Sequence, residues 1–287
     1  MRVMILRLAL LLALLFSLPA TAAELKLASW NIAWLTLRSA ELPGDVTPRD
    51  AGDLGLLAGY AKRLGADILA LQEVDGPQAA ARILDPDRYA FFFPAEDDVQ
   101  RTGFAVRHGL RVRQNPDLAA LDLRPRARFS LRRGTDITVE TASGPLRLLS
   151  VHLVAGCRDA TLSQPVDKCE SLARQTAILA GWVAARQREG VAFAILGDFN
   201  RAIAGPQDEL LRALTAEAPL TRATEGFSDP CWASPRGARR FIDHILLGGP
   251  ARQWLVPESL RVLVYEERDP RMRARLSDHC PLSVRLR

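Results

Sequence analysis

Six short strings in this chain place carboxylate, amide and imidazole groups where hydrophobic runs end. They are Ser29-Trp30-Asn31-Ile32, Leu71-Gln72-Glu73-Val74, Ser150-Val151-His152-Leu153, Ile195-Leu196-Gly197-Asp198-Phe199-Asn200, Phe241-Ile242-Asp243-His244 and Leu276-Ser277-Asp278-His279-Cys280-Pro281. Taken singly, each has a plain reading. A strand-terminal Asn or Asp is a turn former or cap, a lone Glu faces solvent, and a lone His is structural. Together they concentrate charge where strands could converge, and a charge in apolar surroundings must be paired or bind metal. Of the chain's four histidines, His152, His244 and His279 lie in these strings. His108, just before Gly109, reads as a surface turn residue.

The chemistry such groups suit is hydrolysis of a phosphate ester. That reaction needs a hard cation on phosphate oxygen, a base for water and donors for the developing charge. Glu73 and Asp278 suit Mg2+, which prefers carboxylate oxygen and retained water. His152 and His279 can exchange protons near neutral pH. Asn31 and Asn200 can donate to phosphate oxygen without adding charge. Side chains alternate along a strand, so Asp198 and Asn200 share a face while Phe199 turns to the core. By the same rule Asp243 and His244 oppose each other, so one of the two faces the site. The chain has no G-x-S-x-G nucleophile elbow, dinucleotide-binding glycine motif or P-loop.

These groups need a scaffold, and hydrophobic patterning supplies one. Strands are predicted over 25–31, 67–74, 89–93, 102–107, 129–131, 136–140, 146–154, 191–200, 241–247, 260–265 and 281–286. Helices are predicted over 50–64, 77–84, 171–188 and 206–214, with Gly65 and Gly190 as stops. In the longest helix, Leu172, Leu179, Trp182 and Val183 should face inward. Strands and helices interleave without a linker or repeat, which argues one α+β domain over 24–287. Its buried strands need cover on both faces, so packed sheets with helices outside are expected.

Arg2 and Arg7, an apolar stretch from Leu8 to Leu18 and the run Ala20-Thr21-Ala22-Ala23 read as a signal peptide over residues 1–23. The mature chain is therefore expected to be periplasmic or secreted, without a membrane span, and a monomer. With 48% hydrophobic and 25% charged residues the composition is that of a globular protein, and it excludes disordered, collagen-like and coiled-coil chains. Removing Arg2 and Arg7 would leave the formal charge of +5 only weakly positive, so overall charge argues little for an acidic partner. The local pattern argues more. Residues 101–133 hold nine arginines against Asp117 and Asp122. Arg124, Arg126 and Arg128 alternate and would share one face of a strand, either as a solvated surface or as a cationic rim for phosphate.

In an oxidising compartment, Cys157, Cys169, Cys231 and Cys280 suggest two disulfides. Four cysteines allow three pairings, and the sequence does not choose among them. The preferred pairing is Cys157–Cys169, closing a short loop, with Cys231–Cys280. Zinc is the weaker reading, because C-x-x-C is absent and no histidine lies near two of the cysteines.

The six strings resemble the endonuclease/exonuclease/phosphatase superfamily, which includes deoxyribonucleases, apurinic endonucleases, neutral sphingomyelinases and inositol-polyphosphate phosphatases. The matching segments are W-N-I at 30–32, L-Q-E-V at 71–74, V-H-L at 151–153, G-D-F-N at 197–200, I-D-H at 242–244 and S-D-H-C-P at 277–281, in the family's order. The resemblance implies a four-layer α/β sandwich, two packed mixed β-sheets flanked by helices. It implies that Glu73 binds the cation with Asn31 and Asp278 close by. His279, oriented by Asp243, would be general base or stabiliser of phosphate charge. Asp198 would position or activate water and Asn200 would hold phosphate. Which group takes the water's proton stays open. His152 matches a second histidine of the deoxyribonuclease and sphingomyelinase branches, an acid or phosphate ligand there.

The chain also departs from some branches. Ala33 stands where apurinic endonucleases continue W-N-x-N-G, and Thr102-Gly103-Phe104 lacks their tyrosine. Phe241-Ile242-Asp243-His244 differs from the W-x-D-R segment of inositol phosphatases. Phe91-Phe92-Phe93 reads as a buried strand and Cys231-Trp232 as a disulfide-anchored loop, not as membrane-facing aromatics.

The expected activity is a metal-dependent phosphodiesterase, foremost a nuclease on DNA or RNA. Mg2+ is the expected cofactor, with Mn2+ or Ca2+ as substitutes. Arg126 and Arg128, with Asn200, are the expected phosphate contacts. Two other enzymatic readings are a sphingomyelinase-like phospholipase C and a small-phosphoester phosphatase. A catalytically silent binding protein is the third, and the full set of acid, amide and imidazole groups argues against it. Endo or exo action and the number of metals are not legible in the sequence.

Overall fold

The computed structural model describes residues 24–127, 131–234 and 237–287. The expected signal peptide, Arg128 and Phe129 lie outside the described residues. The strands are β1 (Leu25–Leu35), β2 (Ile68–Val74), β3 (Tyr89–Phe92), β4 (Arg101–Arg107), β5 (Arg111–Gln114), β6 (Thr135–Thr141), β7 (Gly144–His152), β8 (Ala192–Asp198), β9 (Leu220–Arg222), β10 (Asp229–Ser234), β11 (Gly237–Arg239), β12 (Asp243–Gly248), β13 (Arg261–Val262) and β14 (Leu282–Leu286). The helices are α1 (Ala51–Leu64), α2 (Gly76–Ala80), α3 (Asp167–Glu189), α4 (Glu209–Glu217), α5 (Ala251–Trp254) and α6 (Met272–Arg275).

Two mixed six-stranded sheets form, in the orders β13-β14-β1-β2-β4-β3 and β5-β6-β7-β8-β12-β9, with β10 and β11 as a separate hairpin. Each has one parallel pair at its centre, β1 with β2 and β7 with β8. Because side chains alternate, each central strand is apolar on both faces. Leu27, Ile68, Ala70 and Phe104 meet Ile137, Leu148, Leu196 and Ile245 between the sheets. On the outer face of the first sheet, Leu69 and Leu71 pack against Leu57, Tyr60 and Leu64 of α1. On the outer face of the second, Val151 and Ile195 pack against α3 and α4 through Leu172, Leu179, Trp182, Val183, Leu210 and Leu214. The result is the expected four-layer sandwich.

The local stops follow from single residues. Asp50 caps α1 in a reciprocal pair with Asp53, and Gly65 ends the helix with φ +53°. Asp208 caps α4 by accepting from the amides of Leu210 and Leu211. Both disulfides form in the preferred pairing, Cys157 with Cys169 and Cys231 with Cys280. No helix among the described residues is long and apolar enough to cross a membrane.

Several expectations need correction. Leu131 lies in a loop, so it does not end a strand. Arg124 and Arg126 are exposed on a turn, where Pro125 between them cannot serve a sheet ladder. They therefore share no strand face. Of the strand expected over 260–265 only β13 remains, since β14 offers it just two paired residues. The hairpin β10–β11 and the short helices α5 and α6 carry no periodic apolar pattern and went unread.

Candidate active site

All six strings arrive at one end of the sandwich. Asn31, Glu73, His152 and Asp198 sit at or near the carboxyl ends of β1, β2, β7 and β8. β12 runs antiparallel to β8 and opens with Asp243 directly opposite Asp198. β14 runs antiparallel to β1, so Asp278 and His279 just before it reach the same end. Beneath them a buried polar chain joins the sheets. Ser29 Oγ donates to Gln72 Oε1, Gln72 Nε2 donates to Ser150 Oγ, and Ser150 Oγ donates to Leu71 O. Gly197 lets β7 and β8 close up, because a Cβ there would strike the backbone of Val151.

Asn31 is the hub of the cluster. Fully buried, it donates from Nδ2 to Glu73 Oε1 (3.0 Å) and to Asp198 Oδ2 (3.1 Å). Its Oδ1 accepts from the amide of Ala33, so this amide holds the two carboxylates and turns its oxygen away from them. His152 Nε2 lies 3.7 Å from Glu73 Oε1 and 3.6 Å from Asp198 Oδ2. His279 Nε2 lies 3.6 Å from the same Asp198 oxygen, while its Nδ1 donates to Asp243 Oδ2 at 2.7 Å. Glu73 is thus tied to the His279 imidazole through Asp198 and His152. Asp278, 48% exposed, stands on the solvent side with Oδ1 3.8 Å from His279 Nε2. Asn200 donates its side-chain amide to Leu153 O and its backbone N–H to Asp198 Oδ1.

His244 stays out of the cluster, as alternation along β12 requires. Its Nδ1 accepts from Thr224 Oγ1 and its Nε2 donates to Arg201 O, both within the core.

The electrostatics divide the groups. Burial pushes the Asp198 carboxyl up, and the negative charges of Asp243 and Glu73 add to this. Burial also opposes a charged His279. The charges of Asp243 and Asp198 outweigh it and hold this imidazole well above the ordinary histidine value. Burial, with Arg132 and His279 nearby, drives His152 well below that value. The two imidazoles are thus pulled in opposite directions, His279 toward its charged form and His152 toward its neutral one. Among the described residues, no hydrogen-bond partner reaches His152 Nδ1 or Asp243 Oδ1. Glu73 (φ +57°), Asn200 (φ +50°), Ala33 (φ +46°) and Trp34 (φ +61°) are left-handed. Such residues cost of order 1–3 kcal/mol each and persist where the surroundings fix them.

Two residues escaped the sequence reading. Gln100 donates to Glu73 Oε2 at 2.6 Å, and Arg132 Nη2 donates to Gln100 Oε1 at 2.5 Å. Arg132 was visible only as one of the dense arginines. Gln100, in Asp97-Asp98-Val99-Gln100, carries no signal at all. Arg126 is exposed on a turn.

A sequence model described as the Endonuclease/Exonuclease/phosphatase family matches residues 28–279. No curated protein matches the sequence. Among solved structures, TDP2 from D. rerio complexed with single strand DNA product is similar, with TM-score 0.58 and 18% identity over 92% of this chain and 99% of that one. The 3' phosphatase NExo from Neisseria, bound to product DNA hairpin, gives TM-score 0.58 and 20% identity over 92% and 99%. An AP endonuclease from Archaeoglobus fulgidus gives TM-score 0.57 and 16% identity over 91% and 98%. At these identities the likeness is one of fold.

Proposed function

Because the chain belongs to the Endonuclease/Exonuclease/phosphatase family, we propose that it is an exported, divalent-cation-dependent phosphodiesterase that cuts nucleic acid. The observation that carries this reading is the convergence of Asn31, Glu73, His152, Asp198, Asp243 and His279 on one set of contacts. The DNA products held by the TDP2 and NExo structures support the choice of substrate. The two disulfides, together with the expected leader over 1–23, support export.

The donor set fits a hard cation. Asp198, Asp243 and His279 offer ligand atoms within 4.8 Å of one another, and no partner among the described residues reaches buried Asp243 Oδ1. Glu73 and Asp278 would hold the ion beside Asn31, with Mg2+ expected and Mn2+ or Ca2+ as substitutes. A divalent cation bound there supplies positive charge to the phosphate and leaving oxygens.

The chain's own groups divide the remaining work. Asp243 fixes His279 Nδ1–H, which turns Nε2 toward Asp198 and Asp278. Charged in this setting, His279 stabilises the negative charge that builds on phosphate. Asp198, with its raised pKa, takes the proton of the attacking water. Neutral His152 lies against both carboxylates and serves the phosphate or the leaving oxygen. Asn200, beside Asp198, contacts phosphate, and the positive charges of Arg126 and Arg128 add to its hold on the substrate.

Plasmid and single-stranded DNA incubated with Mg2+, Mn2+ or Ca2+ should be cut, and chelator should stop the cutting. DNA left intact under every one of these ions would end the nuclease reading.

A further inference from the structure

We propose that Trp34 and the cavity beside it form a subsite that stacks the nucleobase next to the scissile phosphate. This rests on the nuclease reading above and adds to it a residue that selects base-bearing substrate. The signal is a register break. β1 pairs with β2 at Asn31 opposite Gln72 and again at Leu35 opposite Val74, so β1 fits two extra residues into that interval. Ala33 and Trp34 are the left-handed, half-buried pair in this bulge. Bulges of this kind re-aim side chains beside active sites.

Trp34 lines a cavity of about 340 Å³ with Val46, Pro270, Arg273, Ala274 and Asp278. That size lies within the range of small-molecule sites. Its apolar walls are the Trp34 indole, Ala33, Val46, Ala274 and Pro270, and its polar groups are Asp45, Thr47 and the Arg273–Asp278 pair. Asp278 and Arg273 also line a second, smaller cavity of about 130 Å³ that contains His279 and Asp243. The two cavities therefore adjoin across the Arg273–Asp278 pair, whose charged atoms are 3.8 Å apart.

A phosphodiester placed at His279 would send one substituent across this ridge. Arg273 would face the linking phosphate, and the space beyond, walled in part by the Trp34 indole, Val46, Ala274 and Pro270, would take an aromatic base. Every base has a π-face, so stacking on Trp34 would favour base-bearing single strands without reading their sequence.

The test measures binding of a short fluorescent oligothymidylate in chelator, beside the same backbone with abasic residues. The wild type should bind the base-bearing strand roughly 5- to 150-fold more tightly than the abasic one, the usual worth of one stacked base. Trp34→Ala should erase that ratio at an unchanged melting temperature, and Trp34→Phe should keep most of it. A wild type that binds both strands alike, or a Trp34→Ala variant that keeps the preference, overturns the subsite. So does cosedimentation with sphingomyelin vesicles that is lost in Trp34→Ala while the strands are not distinguished. Failure of the nuclease reading shows separately, as both strands remaining uncut with Mg2+ whatever their binding.

Discussion

The side chains gathered at this end of the sandwich are few, and each holds or orients a neighbour. Asp243 is the clearest. One oxygen takes the His279 Nδ1–H, and the other is buried without a partner among the described residues. Asp243→Asn should leave folding intact, because the amide keeps the shape of the carboxylate and an oxygen that can accept from His279 Nδ1. It should lower kcat by ~10²–10⁴, the range for a positioned acid–base group, since His279 loses the charge that keeps it protonated. His279→Ala should fall in the same range. Steady-state kinetics and thermal melts of both variants check this. Wild-type kcat in Asp243→Asn would remove the pair from the mechanism.

At the scale of elements, the segment 276–281 is fastened from three directions. Ser277 Oγ donates to Asn31 O, Tyr265 OH donates to His279 O, and Trp232 Nε1 donates to Ser277 O. The Cys231–Cys280 bridge adds a covalent tie directly after His279 and spans 49 residues, against 12 for Cys157–Cys169. Loop-closure entropy then predicts a loss of roughly 4 kcal/mol for the longer bridge and roughly 3 for the shorter. Urea unfolding of the paired variants Cys231→Ala/Cys280→Ala and Cys157→Ala/Cys169→Ala measures the difference. Only the first pair should also lose turnover, because it loosens the loop that carries His279. Equal kcat in both would mean that the hydrogen bonds alone hold the loop.

For the molecule as a whole, buried His244 links acidity to stability. Burial pushes it down to about 4 from its ordinary 6.5, and its neutral ring bridges Thr224 and Arg201. The unfolded chain therefore binds a proton that the folded one refuses. The stabilisation is complete above the unfolded pKa and is lost as pH falls through the window from 6.5 to about 4. That window corresponds to roughly 3 kcal/mol. Unfolding free energies at pH 7 and pH 4 should thus fall more steeply in the wild type than in His244→Gln. Parallel slopes would show that other groups govern acid unfolding.

Much of the fold was legible because its determinants are local. Short, nearly continuous apolar runs mark β2 and β8, a period of 3.6 marks α1 and α3, and Gly65 and Gly190 mark their ends. The polar residues that interrupt strands at Asn31, Glu73, His152, Asp198 and Asp243 stood out because apolar neighbours made their cost visible. Other features depend on which distant backbone lies opposite. Gln100 meets Glu73 across 27 residues, and Trp34 is thrust out because β1 must fit four steps where β2 takes two. The amide of Asn31 points at two carboxylates, and no neighbour in the chain dictates that, whereas the turn at Arg126 follows from Pro125 beside it. The sequence by itself determined which residue types end each strand, since burial penalties act residue by residue. Only the tertiary structure decided which of those ends touch, because strand order and register are set by packing over the whole sandwich.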